Sequence, residues 1–199
     1  QEAAREIPIY KYLHYLEDLH LNGWQAITDA IILNLPASMT RLCLIDNEMV
    51  TPACLPYLPS NLLCLMLPKI STQWPSNCVR ALPRSLTRLE MTSCDIWTSE
   101  TFADLPAHLE VLRLGGILVK RIEDFSNLSR TMAALGLGEV RYSADPGSTH
   151  LPNCFPFLPP HLTSLKFIPT SRVLFPLEHL RLLPSSITVL KILLNPSTN

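Results

Sequence analysis

The sequence lacks the features that would indicate a membrane protein or a nucleic-acid-binding protein. Its 199 residues contain no uninterrupted stretch of about 20 apolar residues, the length that a membrane-spanning helix requires. It carries 16 Lys and Arg against 17 Asp and Glu, a formal net charge of −1, whereas nucleic-acid-binding domains usually have a basic excess. We therefore expect no membrane span and no nucleic-acid partner, and a protein partner is favoured.

Residue patterns for catalysis, metals and cofactors are also missing. The six histidines, at positions 14, 20, 108, 150, 161 and 179, do not have the spacing of metal ligands. The glycines at 115–116 and at 136 and 138 are not followed by the Gly-Lys-Ser/Thr of a phosphate-binding loop. We expect no enzyme activity, no bound metal and no cofactor.

What the chain does contain is one phrase, Leu-Pro-x-x-Leu-x-x-Leu-x-Leu, that recurs along its length. Clear copies begin at positions 35, 58, 82, 105, 158 and 183, and weaker copies without the proline begin at 12 and 128. The successive steps are 23, 23, 24, 23, 23, 30 and 25 residues. Steps of this length lie within the window of about 20 to 29 residues that is typical of leucine-rich repeats.

Each copy predicts a short helical segment followed by a short strand. An apolar residue lies three positions before every start, and its spacing to the next two leucines suits a turn or two of α- or 3₁₀-helix. The final Leu-x-Leu has the period of two that is typical of a strand. Neighbouring repeats should pair these strands into a parallel sheet above a shared core. The apolar positions before the starts are Ile9, Ile32, Leu55, Val79, Phe102, Phe125, Phe155 and Leu180.

From about residue 7 to residue 195, the chain resembles leucine-rich repeat proteins. It is most similar to proline-bearing variants, the effector-type repeats of secreted bacterial proteins and the FNIP-type repeats of amoebae and large viruses. The resemblance implies an α/β leucine-rich repeat solenoid: one domain over 1–199 with about eight repeats, a right-handed superhelix, a concave parallel sheet and short helical segments on the convex side. The Asn that usually follows the strand occurs only at positions 47 and 195, so we expect irregular turns at Trp24, Ile70, Ile117 and Val140.

Three of the six cysteines follow the repeat. Cys54, Cys78 and Cys154 each lie four residues before a Leu-Pro start, a column that Ile31 and Thr101 share. A disulfide between Cys54 and Cys78 is conceivable, but a column of small buried side chains is the favoured interpretation. Extracellular leucine-rich repeat domains usually carry cysteine clusters in terminal caps, and none is visible here. We therefore expect an intracellular protein, and the cytoplasm is the favoured compartment.

In a repeat solenoid the variable strand residues line the concave face, and this is the predicted binding surface. Five cations and two acids, Asp18 and Glu90, give this face a charge of 5 − 2 = +3. Gly136 and Gly138 remove side chains from one strand and should leave a shallow depression. We expect the concave face to bind an acidic or mixed protein surface through Arg41, Cys43, Met66, Arg88, Glu90, Val111, Arg113, Lys166 and Lys191.

Other sites and roles remain open from the sequence. The thirty-residue step predicts a loop between residues 138 and 157, where Arg141, Tyr142 and His150 are candidate contacts.

Because neither end shows a polar cap, we also consider a structural subunit of a large assembly that contacts its neighbours through the ends. A substrate-recognition part of a ubiquitin ligase is implied only by family analogy. The absence of an initiator Met and of a signal peptide predicts a piece of a longer or processed product.

Overall fold

Short parallel strands alternate with short helical segments along the whole described chain. The computed structural model describes residues 14–24, 27–47, 49–67, 75–91, 96–142, 154–167 and 177–193. Ile9, Ile70 and His150 from the sequence predictions, and the loop segment 143–153, lie outside these ranges.

The strands lie at the Leu-x-Leu end of each phrase, as predicted. The described residues contain nine strands: β1 Asp18–His20, β2 Arg41–Cys43, β3 Cys64–Leu67, β4 Arg88–Met91, β5 Ile96–Trp97, β6 Val111–Val119, β7 Ala134–Tyr142, β8 Ser164–Phe167 and β9 Val189–Ile192. Eight of them follow one another in a single parallel sheet, in the order β1-β2-β3-β4-β6-β7-β8-β9, and β5 pairs with the far end of β6.

The segments that connect the strands are helical, also as predicted. Two are α-helices and five are 3₁₀ helices, within the described part of the chain. The 3₁₀ helix before the third repeat ends at Tyr57. The next residue, Leu58, is extended (φ −60°, ψ 143°) because a residue that precedes a proline disfavours the helical region. The bounds are α1 Asp29–Ile32 and α2 Ser99–Ala103, with 3₁₀ helices at Pro52–Tyr57, Ser76–Ala81, Ile122–Asn127, Phe155–Phe157 and Leu177–Leu182.

The core lies between the sheet and the helical segments. The middle leucine of each strand faces it, and Leu89 and Leu112 are fully buried. From the helical side, the predicted apolar column contributes Phe102 and Phe125, whose ring centroids lie 5.3 Å apart. The two rings are tilted by 36° to each other, and an aromatic pair at this separation adds to the stabilisation that burial alone gives.

Hydroxyl side chains connect successive repeats outside the sheet. Ser186 Oγ lies 2.8 Å from the carbonyl oxygen of Pro160 and 2.7 Å from that of Leu162, one repeat earlier. Ser85 donates to Leu62 in the same way, at 2.6 Å. These carbonyls precede the strands, and the hydroxyls satisfy them as backbone acceptors at these steps. Equivalent bonds are made by Ser38 and Thr131. A second column, two positions before the middle leucine of the strand, makes similar bonds through Thr40, Thr87, Thr163 and Thr188.

Strands β6 and β7 continue beyond the usual four residues, which corrects two expectations. Ile117 and Val140, where irregular turns were predicted, are buried inside these strands. The predicted loop starts later than residue 138, because β7 runs to Tyr142. The strands pass each other closely at two glycines: a Cβ on Gly138 would lie 1.6 Å from the carbonyl oxygen of Gly115.

Truncating a central leucine should destabilise the fold strongly. We expect Leu89→Ala or Leu112→Ala to lower the free energy of unfolding by about 2 to 5 kcal/mol, because each leaves a cavity in a fully buried layer. Urea denaturation measures the change. Leu63→Ala is the matched control, since Leu63 is 44% exposed and should change stability by no more than about 0.5 kcal/mol. Equal stability of all three variants and the native chain would contradict the register.

The two glycines of β7 should differ sharply in their tolerance of a methyl group. Gly138→Ala places a Cβ against the backbone of Gly115, and we expect a loss of about 3 kcal/mol or more. Gly136→Ala meets only the flexible Arg113 side chain, with Cγ at 3.1 Å, and should cost about 1 kcal/mol or less. Thermal and urea unfolding of the two variants give the comparison. A Gly138→Ala protein as stable as the Gly136→Ala protein would show that the close crossing does not exist.

Candidate functional site

The predicted binding surface exists as two rows of side chains on the face of the sheet that the core leucines leave free. The register aligns neighbouring strands position by position. We name the rows from their alignment. The first row is Asp18, Arg41, Cys64, Arg88, Val111, Ala134, Ser164 and Val189, and the central row is His20, Cys43, Met66, Glu90, Arg113, Gly136, Lys166 and Lys191.

Glu90 forms ion pairs with two arginines of these rows. Its Oε2 lies 3.4 Å from Arg113 Nη1 and 3.8 Å from Arg88 Nη2. The carboxylate is partly covered, with its side chain 23% exposed, whereas half of the Arg113 side chain is open to solvent. The long, partly exposed contacts contribute little to stability. Their effect is to offset the charge of the carboxylate, and the Arg113 contact is also within hydrogen-bond distance.

A second cluster of charges lies at the start of the sheet. Arg41 Nε donates to Asp18 Oδ2 at 2.8 Å, and His20 Nε2 lies 3.1 Å from Asp18 Oδ1. Arg41 is thereby paired, although more than half of its side chain remains exposed.

Two predicted cations lack such partners. Lys166 and Lys191 face each other on adjacent strands, both exposed, and neither lies within 4.0 Å of a carboxylate among the described residues. Like charges on neighbouring strands repel each other. The positive charge of the surface is therefore concentrated toward the last two strands rather than spread along it.

The predicted depression over the glycines is present. It has a volume of about 120 Å³, and its charged rim consists of Glu90, Arg113 and Lys166. Gly136 and Gly138 form part of its floor, and backbone and core side chains complete the lining. Val111, the predicted apolar contact on the first row, is half-buried on the adjacent strand.

The sulfur-bearing part of the surface is less accessible than the sequence suggested. Cys43 is only 3% exposed, and its Sγ lies 3.5 Å from Met66 Sδ. Its side chain is therefore too buried to contact a partner, which corrects its place in the predicted contact set. Met66 is half-buried. Burial raises the pKa of the neighbouring Cys64 thiol, and the Arg88 guanidinium opposes that increase.

Cys54, Cys78 and Cys154, which share one position of the repeat, are free thiols, and this excludes the disulfide between Cys54 and Cys78. Burial raises the pKa of Cys54 to about 12, reinforced by the nearby Asp29 carboxylate, and burial raises that of Cys78 to about 11. Cys154 is buried as well, and its pKa is raised to about 12. A nucleophilic cysteine needs the opposite shift, toward the thiolate.

Sequence reasoning missed the polar contacts between helical segments. Asp124 occupies the small buried column, is 2% exposed, and accepts hydrogen bonds from Ser99 Oγ and from the Arg121 backbone N–H at 3.0 Å. Asp29, which is only partly buried, accepts in a similar way from the backbone N–H of Thr51 at 2.8 Å. The available signal for Asp124 was an aspartate in the column that Cys54, Cys78 and Cys154 also occupy. Both carboxylates are bound by protein donors and therefore have a structural role.

No group of three or more His, Cys, Asp or Glu side chains in the described residues is arranged to hold a metal ion. No helix in the described ranges has both the length and the apolar character needed to cross a membrane. His108 and His161 are both exposed at the same position of their repeats.

The buried thiols should resist modification. At pH 8 we expect Cys54 and Cys154 to react with iodoacetamide only in denaturant, because both stay protonated and covered in the folded chain. Mass spectrometry of labelled peptides measures this. Since the folded pKa values lie above the ordinary value of 9.0, the thiols' contribution to stability is complete below about pH 9 and is lost as the pH rises toward 12. Rapid labelling of native Cys154 at pH 8 would contradict its burial.

Comparison with known proteins identifies the architecture. No protein-family model and no curated protein matches the sequence. Among solved structures, an internalin C2 from Listeria monocytogenes is similar with a TM-score of 0.56 and 16% identity, over 89% of this chain and 80% of that one. A leucine-rich repeat protein of Leptospira interrogans is similar with a TM-score of 0.54 and 18% identity, over 93% of this chain and 51% of that one. The chain therefore has the leucine-rich repeat fold.

Proposed function

We propose that this chain is a non-catalytic protein-interaction module that binds a protein partner through the concave face of its sheet. The observation that carries the proposal is the charged group of Arg88, Glu90, Arg113 and Lys166, the last three of which border the glycine depression. Arginine side chains are effective anchors in protein interfaces. Their stems and the half-buried Met66 and Val111 supply apolar contact area beside the charges.

Partner specificity follows from the charge distribution. The two rows carry five cations and two carboxylates, and both carboxylates are already engaged by arginines. An acidic or mixed protein surface would complement this face. The proposal gives no nucleophilic role to Cys54, Cys64, Cys78 and Cys154, because their pKa values are all shifted away from the reactive thiolate form.

A second candidate function rests on the last strand. Leu190, in the core column, is 37% exposed, whereas Leu65, Leu89 and Leu112 in the same column are fully buried. Leu182, Val189 and Leu193 are 41 to 47% exposed beside it. This apolar edge would suit a structural role in which a neighbouring subunit covers the end of the sheet.

A charge-reversal experiment tests the concave face. We expect the native chain to capture a partner from a lysate of its source organism, and the Arg88→Glu/Arg113→Glu variant to lose it by at least about tenfold. The control variant Lys120→Glu/Arg130→Glu makes the same change in net charge at exposed positions outside the two rows. Circular dichroism and urea denaturation establish that all three proteins are folded.

The outcome separates the two candidates. Loss in the concave-face variant alone supports binding through Arg88 and Arg113. Partners retained by both variants would contradict the proposed function and favour the apolar edge at β9, which Leu190→Glu would then test.

A further inference from the structure

We propose that the depression over Gly136 and Gly138 is a recognition pocket for one acidic side chain, an aspartate or glutamate, of the protein partner. This inference rests on the proposed function and specifies which chemical group of the partner the concave face selects. The pocket is a gap in the central row: Arg113 and Lys166 have side chains on the two strands that flank Gly136, which has none.

The gap is one side chain wide, because Gly136 lies between Arg113 and Lys166 in the central row. Arg113 and Lys166 are separated by two strand spacings, about 9.6 Å between their backbones. Their side chains border the same volume of about 120 Å³. A carboxylate that enters between them would contact a guanidinium on one side and an ammonium on the other.

Arg113 retains donors for such a ligand. Its contact with Glu90 is a single long one, 3.4 Å from Nη1, and a guanidinium has five N–H donors. The aliphatic stem of Arg113 lies over Gly136, with Cγ 3.1 Å from the position a Cβ would take. The stem therefore forms one wall of the pocket, and the guanidinium lies at its rim. Lys166 has no carboxylate within 4.0 Å among the described residues and offers all of its positive charge.

The charge balance favours a carboxylate over a phosphate. The pocket is lined by two cations and one carboxylate, a net charge of 2 − 1 = +1. A carboxylate of charge −1 neutralises it, whereas a phosphate of about −2 would leave an excess of negative charge beside Glu90. The charge of the pocket therefore matches one acidic side chain of the partner.

The backbone explains why the pocket cannot fill itself. Gly138 cannot carry a side chain because the Gly115 carbonyl occupies its Cβ position. The close crossing of β6 and β7 therefore excludes a side chain at position 138. The shape of the recognition pocket depends on this crossing.

Binding of defined peptides tests the proposal. The probe is a set of immobilised dodecapeptides with randomised flanks and a fixed central residue: Asp, Glu, Asn, Gln, Lys or phosphoserine. We expect the native chain to retain Asp and Glu peptides about tenfold better than their amide counterparts. Lys166→Glu should abolish this preference. Lys120→Glu is the matched control, with the same charge change at an exposed position outside the two rows, and should keep the preference within about twofold.

The outcomes distinguish this proposal from the one on which it rests. If native chain and Lys166→Glu show the same selection, or if the native chain shows none or prefers phosphoserine, the acidic-pocket proposal is wrong. In that case, the concave-face proposal still stands if the Arg88→Glu/Arg113→Glu variant binds the peptides more weakly than the native chain. A Gly136→Leu variant fills the gap without changing charge, and loss of acidic selection there, with folding verified by circular dichroism, locates recognition in the pocket itself.

Discussion

In-register pairing of the parallel strands is the constraint on which the rest of this structure depends. One repeat has too little apolar surface to bury its own leucines, and its stability comes from contact with its neighbours. The register places Leu89 against Leu65 and Leu112, and all three face the core. A shift by one residue would exchange the two faces and turn Arg88 and Glu90 into the interior. The same pairing therefore determines both the core and the exposed rows.

The connections between repeats are stabilised by polar groups as well as by leucines. Serine and threonine hydroxyls donate to carbonyls of the preceding repeat, and buried carboxylates such as Asp124 join one helical segment to the next. Unsatisfied buried acceptors would destabilise the turns of a solenoid, where the backbone leaves the sheet at every repeat. These contacts keep the repeats at constant spacing, and constant spacing in turn aligns the side chains of the concave face.

The glycines of β6 and β7 link stability with surface shape. Gly115 and Gly138 permit two strands to approach more closely than side chains would allow, and Ile117 and Val140 then continue the strands into the core. The missing side chains at Gly136 and Gly138 open a depression in an otherwise continuous row. A packing requirement on the backbone thus creates the concave feature that we propose as a recognition pocket.

The sequence by itself determined the period, the positions of the strands and helical segments, and the rows that carry Arg88, Glu90, Arg113 and Lys166. It could do so because side-chain alternation in a strand and the spacing of helical leucines are local properties. It also predicted the depression, since missing side chains are visible in the sequence. Only the tertiary structure decided that Cys43 is covered, that Glu90 lies between two arginines, and that β7 extends to Tyr142. Those features depend on distances between atoms of different repeats, which the sequence pattern within a repeat does not specify.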